Sequence, residues 1–89
     1  MKRPKVLNIL GHRVEILPLP IQADDRNVGM ASTTAEVIYV EAGLPDGVWQ
    51  EILLHEVLHY LGDTLGKDLS EEQVKGLSAG LFQMGVRIR

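Results

Sequence analysis

Cysteine is absent from the 89 residues. Its absence excludes disulfide staples, a thiolate nucleophile and any zinc site built on sulfur. No apolar run reaches the roughly 18 residues needed to span a bilayer, so no membrane partner is expected. The opening Met1-Lys2-Arg3-Pro4-Lys5 is basic, but no long apolar stretch with a small-residue cleavage site follows it. A signal peptide is therefore not expected, and a cytoplasmic location is. An excess of basic residues is missing too: nine Lys and Arg stand against 12 Asp and Glu, a net charge of -3. A basic surface for nucleic acid is not indicated. Repeats, low-complexity tracts and linkers are also lacking, and the length suits a single domain over residues 1–89.

What is present is an ordinary globular composition, 45% hydrophobic and 24% charged. So small a core is marginally stable by itself, so a metal or a partner can be part of its stability.

The first half reads as strands. Val6 to Leu10 is apolar, and Arg13 to Leu17 alternates with Val14 and Ile16 on one face. Gly11-His12 between them suits a two-residue hairpin turn with Gly first. Pro18 and Pro20 stop the ladder. Ile21 to Asn27 is polar and reads as a loop. Val28 to Ser32 is a weaker strand candidate, Thr33-Thr34-Ala35 its turn, and Glu36 to Glu41 the strongest strand, being β-branched and aromatic.

The second half reads as two helices. Asp46 is placed to cap the first, from about Val48 to about Leu65, with Gly62 or Gly66 ending it. Ser70 caps the second, and Ser70-Glu71-Glu72-Gln73 fits a capping box. That helix runs through Val74, Leu77 and Leu81 to about Gly85. Its Gly76 and Gly80 are expected to let another backbone approach closely. Strands followed by helices predict an α+β fold, a small and mostly antiparallel sheet of three or four strands packed on two helices.

The first helix contains His55-Glu56-Val57-Leu58-His59, an H-E-x-x-H pattern. Residues four apart share a helix face, so both imidazoles can bind one ion. Zinc suits neutral imidazole in a chain without thiolate. Glu56 lies about 100° around the helix from His55. That sets it beside the ion, where it can take a proton from activated water and pass it to a leaving amine. The bland alternative is a pair of satisfied core histidines. Apolar neighbours Ile52, Leu53, Leu54, Leu58 and Leu61 make two uncompensated histidines there expensive.

A catalytic zinc site usually has three protein ligands and a water. Candidates for the third are Asp63, Asp68, Glu71, Glu72 and His12. With Val74 as zero, Glu71 falls near about +60° and Glu72 near about +160° on the second helix. Glu71 therefore borders the packed face and is favoured, with Glu72 as the alternative. Acidic residues in a first helical turn also favour the helix dipole without any metal. Asp63 reads as a supporting or surface residue. For a developing oxyanion the candidates are His12 and Tyr39, Tyr60 being turned away on the helix. The strand Val37 to Val40 would hold an extended peptide if it were the sheet edge facing the metal, and is otherwise an ordinary core strand. Trp49 reads as a packing anchor, and Arg87-Ile88-Arg89 as a frayed tail.

The stretch from Val37 to Leu81 resembles the gluzincin metallopeptidases, above all small phage and prophage proteins of the ImmA/IrrE type. The carriers are Val37-Ile38-Tyr39-Val40, then Leu53-Leu54-His55-Glu56-Val57-Leu58-His59, then Leu69-Ser70-Glu71-Glu72. The resemblance implies His55 and His59 as metal ligands, Glu56 as general base and the acidic residue opening the second helix as third ligand. It also implies hydrolysis of a peptide bond in a specific protein partner.

Three readings follow. The first is a zinc-dependent peptidase with one Zn2+, acting on a peptide or protein as monomer or homodimer. The second is a non-catalytic, metal-stabilised binding module of phage or prophage type, its zinc closed by a fourth ligand such as His12 or Asp63. The third is a metal-free interaction domain.

Overall fold

The two N-terminal apolar runs fold back on each other. The structure, a computed structural model, describes residues 2–20 and 28–89; the expected loop Ile21 to Asn27 lies outside the described residues. Strand β1 (Val6–Ile9) pairs antiparallel with β2 (His12–Pro18), Ile9 opposite His12. The turn is Leu10-Gly11, at φ 50° and 82°. Two successive left-handed residues make the primed turn whose twist matches the strands. The turn thus falls one residue before the expected Gly11-His12, and His12 opens β2. Alternation along β2 is as its sequence implies, with Val14 and Ile16 buried and Arg13 and Glu15 exposed.

Strands β3 (Gly29–Ser32) and β4 (Val37–Val40) form a second antiparallel pair, Ser32 opposite Val37. Glu36, expected in the strand, stands at φ 53° and belongs to the turn. β4 then runs parallel to β2, from Glu15 opposite Val37 to Pro18 opposite Val40. The sheet order is β1-β2-β4-β3, so β4 is interior and β3 is an edge. This overturns the reading of Val37 to Val40 as an edge for peptide: both its sides are already hydrogen-bonded. The fold is α+β, with a four-stranded, mostly antiparallel sheet and two helices.

Helix α1 (Asp46–Thr64) starts at an N-cap of Pro45 without a side-chain cap. Asp46 is therefore its first residue rather than its cap. There its carboxylate still faces the positive end of the helix dipole, and it pairs with Arg3 at 3.0 Å. Arg3 also donates to the carbonyls of Ala42 and Leu44 and lies over the Trp49 ring, 5.0 Å from its centroid. α1 buries Trp49, Leu53 and Tyr60 against Val14, Ile16, Ile38 and Val40 of the sheet. Burying each such side chain is worth about 1.5–3 kcal/mol. Gly66, at φ 68°, follows the helix end. Gly62 stays inside the helix, where a Cβ would come within 3.0 Å of the Lys67 carbonyl. Its bareness lets the chain turn back along α1 toward the next helix.

Helix α2 (Glu71–Gln83) opens with the expected capping box: the Ser70 hydroxyl accepts from Gln73 N–H and the Gln73 side chain accepts from Ser70 N–H. Its buried row is Val74 and Ser78, whereas Leu77 is 47% exposed. The Val74-Leu77-Leu81 stripe is thereby corrected to a row spaced by four. A Cβ on Gly76 or Gly80 would meet nothing within 4 Å, so the close approach expected at these glycines does not occur. The C-terminal tail is not frayed at Ile88. Gln50, fully buried, donates to the Ile88 carbonyl and accepts from the Ile88 N–H, both at 2.8 Å. Among the described residues, no helix is long and apolar enough to cross a membrane.

Candidate metal centre

His55, Glu56 and His59 all lie in α1. The four-residue spacing sets the two imidazoles on one face, with Nε2 atoms 3.2 Å apart. Glu71, the first residue of α2, reaches across to both. One carboxylate oxygen is 2.8 Å from His55 Nε2 and the other 3.0 Å from His59 Nε2. The packing of α2 explains why Glu71 arrives there. At about 100° per residue, Glu71 and Ser78 fall at about 60° and 40° from Val74. Glu71 therefore heads the row that faces the core, and the capping box holds its turn in helical form. Glu72 is exposed and does not join the group.

The donor set fits a cation. Both Nε2 atoms face the same carboxylate and each other. If each carried a proton toward Glu71, two N–H groups would converge at 3.2 Å. One positive ion in place of those protons lets all three atoms act as donors. Ligand atoms about 2.0 Å from a tetrahedral ion lie about 3.3 Å apart, close to the separations of 2.8–3.2 Å found here. His55, His59 and Glu71 can thus hold a metal ion. The ligands remain reachable, with side-chain exposures of 16%, 30% and 58% in that order.

Electrostatics separate the two glutamates. Desolvation pushes the Glu71 carboxyl up, but attraction to His55 and His59 and their hydrogen bonds outweigh it, and its pKa is lowered. Glu56 behaves oppositely. It is only 9% exposed, and its pKa is raised, chiefly by burial, with His59 opposing and Glu71 adding to the rise. A carboxylate raised in this way is a stronger base than an ordinary one.

Glu56 also lines two clefts. One, of about 490 Å³, includes Gly29, Ile52, His55 and Glu71. The other, of about 300 Å³, includes Ala31, Thr33, His59 and Asp63. Both are walled by β3, so that strand is the sheet edge nearest the ligands. The remaining candidates lie elsewhere. His12 pairs with Glu36 through Nδ1 at 3.0 Å. Asp63 accepts a hydrogen bond from the Thr33 hydroxyl, and Asp68 lines the smaller cleft. Tyr60 is buried in the core, which pushes its hydroxyl pKa up. Tyr39 sits on β4 opposite Met30 and Leu17.

Gly29 was not among the candidate residues, although it touches the site: a Cβ there would stand 2.9 Å from a Glu56 carboxylate oxygen. The available sign was a lone glycine in a short strand, which often marks close approach of another group. No protein family, curated protein or solved structure matches this chain.

Proposed function

We propose that the protein is a zinc-dependent peptidase acting on a protein partner. The observation that carries this reading is the convergence of His55, His59 and Glu71 from two helices beside the buried carboxylate of Glu56. Two imidazoles and one carboxylate form a donor set that suits zinc with one position left for water. Bound there, zinc would supply a Lewis acid and lower the pKa of a coordinated water to about 7.

The chain's own residues supply the rest. An extended substrate pairs with the outer edge of β3, which among the described residues has no strand beside it, and this brings the substrate backbone over Glu56. Glu56 accepts a proton from the attacking water as oxygen bonds to the carbonyl carbon. It returns that proton to the amide nitrogen as the C–N bond breaks. Its burial excludes bulk water and holds the proton on a group of raised pKa between the two transfers.

A metal-stabilised binding module would need a fourth protein ligand. His12 is engaged by Glu36 and Asp63 by Thr33, which supports an open site instead. The test uses a pool of peptides from a digested proteome, read by mass spectrometry with zinc-loaded protein. Glu56→Gln should keep one equivalent of zinc and lose cleavage. Equal cleavage by the variant would remove Glu56 from the reaction, and no cleavage by the wild type on peptides or folded proteins would favour the module.

A further inference from the structure

We propose that Gly29 is a positioning residue for Glu56: the missing Cβ at the start of the edge strand leaves the space in which the Glu56 carboxylate stands. This rests on the reading of Glu56 as the base. A Cβ at Gly29 would lie 2.8 Å from Ile52 Cγ2, 2.9 Å from Glu56 Oε2 and 3.0 Å from Glu56 Cγ. All three distances are at or below the closest approach that carbon normally tolerates. Ile52 and Glu56 are four residues apart, so both lie on the α1 face beneath β3.

The strand has no room to withdraw. Gly29 is paired with Val40, and the next ladder contact runs from Glu41 N–H to the Val28 carbonyl at 2.9 Å. Backbone is thus pinned on both sides of Gly29. α1 is equally fixed, since Leu53, next to Ile52, is fully buried. What can move is the far end of a flexible side chain. Of the atoms in contact, only the Glu56 carboxylate is one. A methyl group at position 29 therefore turns the Glu56 carboxylate aside, while its contact with Ile52 Cγ2, the nearest of the three, remains. The strand that would bind substrate would also aim the base, and the two functions share one backbone position.

The wild type and the variants Gly29→Ala, Glu56→Ala, Gly29→Ala/Glu56→Ala and Gly29→Ala/Ile52→Ala test this. Each is loaded with cobalt(II), and its visible absorption reports the ligand field and the water next to Glu56. Gly29→Ala should bind one equivalent of cobalt with unchanged affinity and a shifted spectrum. The shift should persist with Ile52→Ala and vanish with Glu56→Ala. A shift that survives Glu56→Ala, or disappears with Ile52→Ala, would overturn the proposal, as would no shift at all. Hydrolysis of the peptide pool by Gly29→Ala should fall on the order of 100-fold, as expected of a base misplaced by about 1 Å.

Urea unfolding of the metal-free proteins supplies a second readout that needs neither metal nor substrate. Because the clash with Ile52 Cγ2, the nearest atom, persists without Glu56, the cycle is run in the Ile52→Ala chain, where Gly29→Ala should lower the midpoint and should lower it much less once Glu56→Ala is added. Equal losses in both would overturn the contact. If cobalt fails to bind the wild type, the peptidase reading falls, and the unfolding cycle still decides whether Gly29 and Glu56 are coupled. Should Gly29→Ala alone fail to fold, the triple variant with Ile52→Ala and Glu56→Ala should fold, and its failure would count against the proposal.

Discussion

Gln50 holds the backbone of Ile88 with both ends of its amide, donating to the carbonyl and accepting from the N–H. The amide is fully buried, so it cannot turn to water if Ile88 is lost. Gln50→Ala should destabilise the protein by about 1–3 kcal/mol, as two hydrogen bonds to the Ile88 backbone are lost. Removal of Ile88 and Arg89 should have a similar effect, because it orphans the same amide. Urea unfolding measures both, and unchanged midpoints would mean that the tail contributes nothing.

Leu10 provides a prediction of opposite sign. It occupies the left-handed region at φ 50° with its side chain 56% exposed. Leu10→Asn would create the Asn-Gly pair that suits this turn. It should stabilise the fold by about 0.5–1 kcal/mol, since the left-handed conformation is costly for leucine and little packing is lost. Thermal unfolding would show it, and a lowered melting temperature would argue against the turn.

Zinc should raise the melting temperature of the wild type. The stabilisation grows with ligand concentration, reaching about 2.7 kcal/mol at 100 times Kd. His59→Ala and Glu71→Ala should each abolish most of the rise. Glu72→Ala should keep the full rise and lose only about 0.3–1 kcal/mol of helix-dipole stabilisation. A zinc response that depends on Glu72 rather than Glu71 would reassign the third ligand.

The raised pKa of Glu56 has a consequence for stability in the metal-free protein. Folded Glu56 holds its proton more tightly than the unfolded chain, whose carboxyl titrates near 4.5. Between that value and the folded one, the native state binds more protons, so stability falls as pH rises. Above this window the ionised, buried carboxylate opposes folding. Glu56→Gln should therefore be more stable than the wild type near pH 7, and the difference should shrink below the ordinary carboxylate range. Glu71 has the opposite sign: its lowered pKa contributes stability that is present at neutral pH and lost as the pH falls through its folded value. A Glu56→Gln difference that grows on acidification would contradict the burial of Glu56.

Much of the fold and of the candidate site could be read from local pattern. Ser70 and Gln73 marked the start of α2, and the pair His55 and His59 marked one face of α1, because both depend on chain that is close in sequence. The 3.6-residue repeat also separated Glu71 from Glu72, even though the stripe used to set the phase contained Leu77, which the fold leaves exposed. Val74 was the right anchor, and the angle from it to Glu71 does not depend on which other residues share its row. The Leu10-Gly11 turn was misplaced by one residue because a glycine suits either position of a tight hairpin.

Helical phase, the capping box of α2 and the residues available to ligate an ion were set by the order of amino acids, since each depends on neighbours within a turn or two. Which strand became the edge was settled only in three dimensions. Val37 to Val40 has the strongest strand composition, and for that reason it was drawn into the interior between β2 and β3. The weaker Gly29–Ser32 was left at the rim above Glu56. The parallel pairing of β2 with β4, the docking of Ile88 on Gln50 and the closeness of Gly29 to Glu56 all join residues far apart along the chain. Such contacts are chosen by how the whole core closes, and no window of sequence contains both partners.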